Sequence, residues 1–414
     1  MIIKKFYYRC TDCGTEYDSE SIQYLCPICK TKNTTDKPPR GVLKTLYNYE
    51  NIKKQNTKQE LISKIEKFDY SDVMPIENSA NYPQLKVGQT PVYKINSVDN
   101  QKFSNEIYIK DDSQNPTYSF KDRASYLVSA FAKERSIDTI IAASTGNAGS
   151  SLAGICASQN QKAVIFLPAT APKAKLTQIV MYGAKIIPVE GNYDSAFDLS
   201  ISVSEKFGYY NRNTAFNPLT IEGKKTVSFE IFSEFKDKLP DKIFVPVGDG
   251  AIIAGVYKGF EDLLMLGLID KIPEIIAVQA ETSSNLIDNL NRNDFQFVPA
   301  TTKADSISVD IPRNFYMAVQ FLKKYEGKTI KVSDDEITDA SLILSRNTGI
   351  FSEPAATAAF AGMLKLKQNK ENISKEKWLI LLTGSGLKDL NAVQSKINIP
   401  QPVKLNLEAV QKLL

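Results

Sequence analysis

Histidine is absent from all 414 residues of this sequence. Every mechanism that turns on an imidazole is therefore excluded, from Ser-His-Asp and Cys-His hydrolysis to any His-ligated metal site. Acid and base duties fall to Lys, Asp, Glu, Tyr or a cofactor. Long apolar runs are missing as well. No window approaches the roughly 20 apolar residues of a membrane helix, and the stretch Met1 to Arg9 lacks the apolar core of a secretory signal. A water-soluble, cytoplasmic protein with no membrane partner is expected. Nor is there an excess of one charge: 51 Lys and Arg face 47 Asp and Glu, and the basic residues are spread among the acidic ones, so nucleic acid is not an expected partner. Neither a repeat of 20 to 50 residues nor a low-complexity tract is present.

What is there begins with length. A chain this long exceeds what one hydrophobic core usually covers, so two domains and a small appendage are expected. With 43% hydrophobic and 24% charged residues the composition is that of an ordinary globular protein. Four of the five cysteines stand near the amino terminus as Cys10-Thr-Asp-Cys13 and Cys26-Pro-Ile-Cys29. Two such couples can fold into tight turns that offer four thiolates to one tetrahedral ion, a zinc-ribbon pattern whose filled coordination suits a structural metal. Two disulfides or four free thiols are the alternatives, and a reducing cytosol weighs against disulfides. Cys156, alone in the apolar stretch Ser151 to Ala157, reads as a small core residue.

A polar bridge from Thr31 to Arg40 ends the ribbon, and Gln55 to Lys67 has the spacing of one helix with Leu61, Ile62, Ile65 and Phe68 on its apolar side. Beyond it, β-branched runs at 107–109, 139–141, 163–167, 185–189, 243–247, 275–278 and 378–382 alternate with segments of helical periodicity. That alternation implies parallel sheets covered by helices, with ligands bound at the carboxyl ends of the strands.

The loops after those strands carry the chemistry. Asn115-Pro-Thr-Tyr-Ser-Phe-Lys-Asp-Arg123 enters a helix with Ser119 and Asp122 spaced as a capping box. Lys121 then falls in the first turn, where the helix dipole lowers an amine's pKa and favours the neutral form that an imine needs. The strand ending at Ala143 runs into Ser144-Thr-Gly-Asn-Ala-Gly-Ser150, whose free N–H groups suit an anion such as a carboxylate, while the Asn147 amide suits a phenolic oxygen. The loop Gly248-Asp-Gly-Ala-Ile-Ile-Ala-Gly255 is a phosphate-cradle candidate without a nucleotide-binding Gly-Lys-Ser/Thr signature. Thr383-Gly-Ser-Gly-Leu-Lys-Asp389 closes the last strong strand.

In order and spacing, these segments resemble the fold-type-II pyridoxal-phosphate enzymes, the tryptophan-synthase-beta-like group, from about Tyr82 to Asp389. Within the group they are most similar to the threonine synthases, through Ser119 to Arg123, Ala143 to Asn147, Asn217-Pro218 with Glu222 to Thr226, Gly349 to Pro354, and Thr383 to Asp389. Some threonine synthases also carry a four-cysteine ribbon. The resemblance implies two three-layer α/β domains, the large one from 41–113 and 223–414, the small one from 114–222, behind a zinc ribbon at 1–40. It implies pyridoxal phosphate as cofactor, joined to Lys121, which would also shuttle the α proton. Asn147 would bind the phenolic oxygen, Gly248, Asp249, Gly250, Ala251 and Ile252 the phosphate, and Thr383 would face the pyridine nitrogen. Ser144 and Thr145 would grip the substrate carboxylate, and Cys10, Cys13, Cys26 and Cys29 would hold zinc. The implied reaction is O-phosphohomoserine plus water to threonine plus phosphate, with a serine/threonine dehydratase, a diaminopropionate ammonia-lyase or a cysteate-synthase-like enzyme as alternatives. A homodimer is the default for such an enzyme.

Three positions depart from the family pattern. Its members generally carry an arginine for the substrate phosphate between the Asn-Pro and Glu-Gly pairs, where this chain has Leu219-Thr220-Ile221. Asp249 stands where Asn is usual, and Ser385 where His is usual. Lys173, Lys175, Lys224, Lys225 and Arg313 are the cations that could take the arginine's place.

Overall fold

The computed structural model describes residues 5–171, 173–236, 238–368, 375–403 and 405–412, with the side chains of 173–175 and 395 outside the description. Among the described residues the chain forms three sheets. The first takes β1 (Phe6–Cys10), β2 (Glu16–Asp18) and β3 (Leu43–Tyr47) in the order β2-β1-β3, all antiparallel. The second has six strands drawn from β4 (Val92–Val98), β5 (Gln101–Asp111), β10 (Lys242–Pro246), β11 (Glu274–Ala280), β12 (Lys328–Val332) and β13 (Lys377–Leu382), in the order β12-β11-β10-β13-β5-β4. All its pairs are parallel except the edge pair β4–β5. The third is parallel, β8-β7-β6-β9, from β6 (Thr139–Ala143), β7 (Lys162–Pro168), β8 (Lys185–Val189) and β9 (Tyr210–Asn211).

Burial explains most of the strands that are legible as apolar runs; edge strand β8, with no buried residue, is legible through its β-branched residues alone. Central strands of a parallel sheet are covered on both faces, so β11, with Ile275 to Ala280 all buried, and β13, with Trp378 to Leu382 all buried, show no alternation. Each buried Ile, Val or Leu among them contributes about 1.5–3 kcal/mol by leaving water. Edge strand β4 buries only Ile95 and Val98 and β9 has only two residues, which leaves neither a clear pattern. One helix expectation needs correction. The stretch around 55–67 is the end of one helix, Tyr49–Gln55, and a second, Lys58–Glu66, separated by Asn56 and Thr57; the Thr57 hydroxyl and Glu60 form a capping box. Leu61 and Ile65 face the core, but Phe68 lies past the helix end at φ +59° and is exposed.

One apolar cluster runs from ribbon residues Tyr8 and Cys26 through Phe131 and Phe229 to Leu379, so the small sheet and both α/β units share a continuous interior. A second covers the far face of the six-stranded sheet, with Ile109, Phe244, Val278 and Trp378, and a third the far face of the four-stranded one, around Phe166 and Phe197. Cys156 is fully buried, as its surroundings in sequence predict. Helix Lys121–Glu134 lies against helix Leu219–Lys224 closely enough that a Cβ on Gly223 would stand 2.2 Å from the Arg123 carbonyl. Only glycine allows that approach. No helix among the described residues is long and apolar enough to cross a membrane.

Candidate active site

The carboxyl ends of β6, β10 and β13 open on one cavity of about 500 Å³. Lys121 lies on its wall as the first residue of its helix. The backbone just before it is pinned to the end of β13: Phe120 N–H donates to the Thr383 carbonyl at 2.9 Å, and Ser385 N–H donates to the Tyr118 carbonyl at 3.1 Å. Behind it, Arg123 anchors the helix through both carboxylate oxygens of Asp112, at 2.6 and 2.9 Å, and through Glu230, whose pKa burial would raise but Arg123 and Lys110 together hold down at about 2. The capping box does not form. Asp122 turns back instead to accept from Thr117 N–H at 2.7 Å and from its hydroxyl, and the buried Ser119 hydroxyl has no partner among the described residues. Burial is the main force pulling the Lys121 pKa below the ordinary lysine value; Arg212 reinforces it, while Asp249 and Glu353 oppose it. The helix dipole is thus not needed as the principal cause.

Ser144, Thr145 and Asn147 line the same cavity at the start of helix Asn147–Ser158, which has no side-chain cap. Its first N–H groups therefore remain open to an anion. The Asn147 amide donates to both oxygens of Glu353 at 3.0 Å and to Ser306 Oγ at 3.2 Å. Burial raises the Glu353 pKa, opposed by the Asn147 amide and by Lys121 and Lys388, with Asp389 adding to the rise. Glu353, Ser306, Tyr193 and Arg212 all line the cavity and were not singled out by motif. Glu353 had a signal, since it falls inside Gly349 to Pro354. Arg212 had none, because it sits in a short polar stretch after a two-residue strand.

Opposite, Gly248, Asp249, Gly250 and Ile252 line the cavity where β10 passes into helix Ala251–Met265; Ala251 is buried behind the lining. Gly250 has φ +84°, and a Cβ there would meet the Ala318 Cβ at 3.0 Å and the Asn314 carbonyl at 3.1 Å. Asp249 caps the turn, accepting from Ala251 N–H at 2.9 Å, so its carboxylate is occupied in the loop. A glycine cradle ahead of a helix start, facing a buried lysine across a 500 Å³ space, fits a phosphate-bearing aldehyde cofactor. Thr383, at the end of β13, completes the wall.

Of the candidate cations, Arg313 reaches the cavity but pairs with Asp194. Lys225 is buried in a pair with Glu222 and Asp262. The side chains of Lys173 and Lys175 lie outside the described residues. Lys224 is fully buried. Far from the cavity, the sulfurs of Cys10, Cys13, Cys26 and Cys29 all lie within 4.8 Å of one another. Four sulfurs at 2.3 Å from a tetrahedral ion would stand about 3.8 Å apart, so the group fits one zinc.

The family model for "pyridoxal-phosphate dependent enzyme" matches residues 83–384. Threonine synthase of Methanocaldococcus jannaschii is 31% identical over 98% of this chain and 98% of its own length. That of Methanosarcina acetivorans is also 31% identical, over 99% and 98%. Among solved structures, the processed form of threonine deaminase isoform 2 from Solanum lycopersicum superposes with a TM-score of 0.60 at 23% identity, covering 72% of this chain and 84% of that one. At that identity the likeness speaks for the fold.

Proposed function

This chain belongs to the pyridoxal-phosphate-dependent enzymes and, within them, to the threonine synthase family; from that premise we propose that it converts O-phosphohomoserine and water into threonine and phosphate. The observation that carries the reading is a buried lysine at a helix start, held by backbone bonds against a strand end and facing a glycine cradle across one cavity.

Bound in this cavity, pyridoxal phosphate supplies an electron sink for negative charge at the substrate's α carbon. Lys121 provides the attachment point and the base. With its pKa lowered by burial, more of its amine is neutral near pH 7 and free to take the α proton and return it. Gly248 to Ile252 would hold the cofactor phosphate through the N–H groups of the turn and helix start other than that of Ala251, which Asp249 takes. Asn147, its amide steadied by Glu353 and Ser306, faces the phenolic oxygen. Thr383 offers the ring nitrogen a hydroxyl that binds without surrendering a proton, a setting suited to elimination and addition. Ser144 and Thr145 take the substrate carboxylate together with the uncapped helix behind them. The unit 114–222, which carries the carboxylate loop, closes on the unit formed by 41–113 and 223–414 and excludes water.

The four ribbon thiolates hold a structural zinc, and the cytoplasm's reducing conditions keep them available. Metal analysis of purified protein should find one zinc per chain, lost when Cys26 and Cys29 are replaced by Ser. For the reaction, the holoenzyme is given O-phosphohomoserine while released phosphate and the amino-acid product are measured. Equal amounts of phosphate and threonine are expected. Release of 2-oxobutanoate from threonine or pyruvate from serine, with no threonine formed, would overturn the assignment.

A further inference from the structure

A phosphate ester carries two negative charges into the cavity, and the stretch Leu219-Thr220-Ile221 offers no cation to meet them. Two basic groups nearby lack an ion-pair partner among the described residues. Lys224 closes helix Leu219–Lys224, is 0% exposed, and its Nζ has no hydrogen-bond partner among the described residues. The charges that act on it belong to Arg212, Lys121 and Asp249, all three on the cavity wall. Arg212 follows β9, is 1% exposed and lines the cavity. Its guanidinium reaches only neutral groups: Ser125 Oγ at 3.2 Å, Thr214 Oγ1 at 3.0 Å and the Lys121 carbonyl at 3.5 Å. Neither cation forms an ion pair among the described residues. Two unpaired basic groups held in the interior, close enough to repel each other when both are charged, suit an anion that comes from outside, whose charge favours the proton that burial takes from Lys224.

We propose that Arg212 and Lys224 together bind the phosphoryl group of the substrate, doing the work of the arginine that is missing around Thr220. The guanidinium supplies directed N–H groups, its Thr214 and Ser125 contacts fixing the plane, and the ammonium a compact second charge. Asp249, the acidic group that acts on both, limits their repulsion when the cavity holds no phosphate ester. The inference rests on the functional reading above. The cofactor's phosphate is the other group of the same chemistry in reach, because the Lys224 Cβ lies only 2.6 Å from where a Cβ on Gly255, just beyond the cradle, would be.

Lys224→Met, Lys224→Arg and Arg212→Met holoenzymes separate these cases. In each the absorbance and affinity of bound cofactor are measured, then kcat and KM for O-phosphohomoserine, then the inhibition constant of inorganic phosphate. The expected result is full cofactor loading, a KM and a phosphate inhibition constant raised tenfold or more in both Met variants, and recovery to within a few-fold in Lys224→Arg. Loss of cofactor affinity with an unchanged KM in the loaded enzyme would assign Lys224 to the cofactor and overturn the proposal, as would unchanged values throughout. If the wild type makes no threonine, the functional reading fails on its own. Protection from thermal unfolding by inorganic phosphate then decides the subsite, which stands if protection is seen in the wild type and lost in both Met variants, and falls otherwise.

Discussion

Lys224 and Lys225 are sequence neighbours, both wholly buried, and their surroundings are opposite. Lys225 Nζ donates to Asp262 at 2.7 Å, Glu222 at 2.5 Å and the Val73 carbonyl at 2.6 Å, and lies 4.2 Å from the centre of the Tyr47 ring. Lys258 joins the same two acids, and Tyr47 and Tyr49 donate to them at 2.6 Å each. Every charge there is answered, and because Tyr47 belongs to β3 the network ties the amino-terminal sheet to the body. One residue earlier, Lys224 belongs with Lys121 and Arg212 to a group whose charges are not answered. A buried charge with its counter-charge specifies architecture; a buried charge without one marks where a ligand belongs.

Removing a member of each group should therefore fail in different ways. Lys121→Ala should abolish the cofactor absorbance that borohydride bleaches and lower turnover by about a thousandfold or more, with the melting curve of the apoprotein little changed. A persistent reducible band would place the cofactor elsewhere. Lys225→Met leaves Glu222 and Asp262 short of a partner and should cost about 3–5 kcal/mol in denaturant unfolding, with KM unchanged in the protein that remains folded. If it unfolds like the wild type, the contrast between the two groups is lost. Tyr47→Phe removes one bond to the Glu222 carboxylate and should cost about 1.5–3 kcal/mol, detached from any change in catalysis.

The same contrast explains what could be read in advance. Lys121, Asn147, the Gly248 loop and Thr383 sit in strand-to-helix loops, where small residues and a fixed order leave a local signature, and all line one cavity. Most of the seven visible strands are central parallel strands buried on both faces and so apolar with little interruption, while edge strand β8, with no buried residue, was visible through Ile186, Ile187 and Val189. Lys224 and Lys225 stood out as candidate cations, but which of them is paired was not visible. Glu222, Lys225, Lys258 and Asp262 meet across two helices, and the roles of Lys224 and Lys225 differ by a rotation of about 100° around one of them, which no motif encodes. The capping box at Ser119 failed for a related reason: Asp122 found a nearer donor in Thr117 than its spacing implied.

The smallest effect separates the groups by pH. Burial holds the Lys224 pKa well below the ordinary lysine value, Arg212 and Lys121 pushing the same way and Asp249 opposing them. In the unfolded chain this lysine titrates near about 10.4. Below its folded pKa both states carry the proton, and the cost of the buried charge is present in full. Between the two values the unfolded state binds more protons, so stability rises with pH, and above about 10.4 the cost has gone. Lys224→Met removes this dependence. Its melting temperature, measured without added phosphate, should exceed that of the wild type by a margin that is widest at the acid end and closes as the pH climbs. Inorganic phosphate should narrow the margin at any pH by stabilising the wild type alone. A margin independent of pH would mean that Lys224 carries the same charge folded and unfolded, so that burial does not lower its pKa over the range tested, and the unanswered group would then shrink to Arg212 and Lys121.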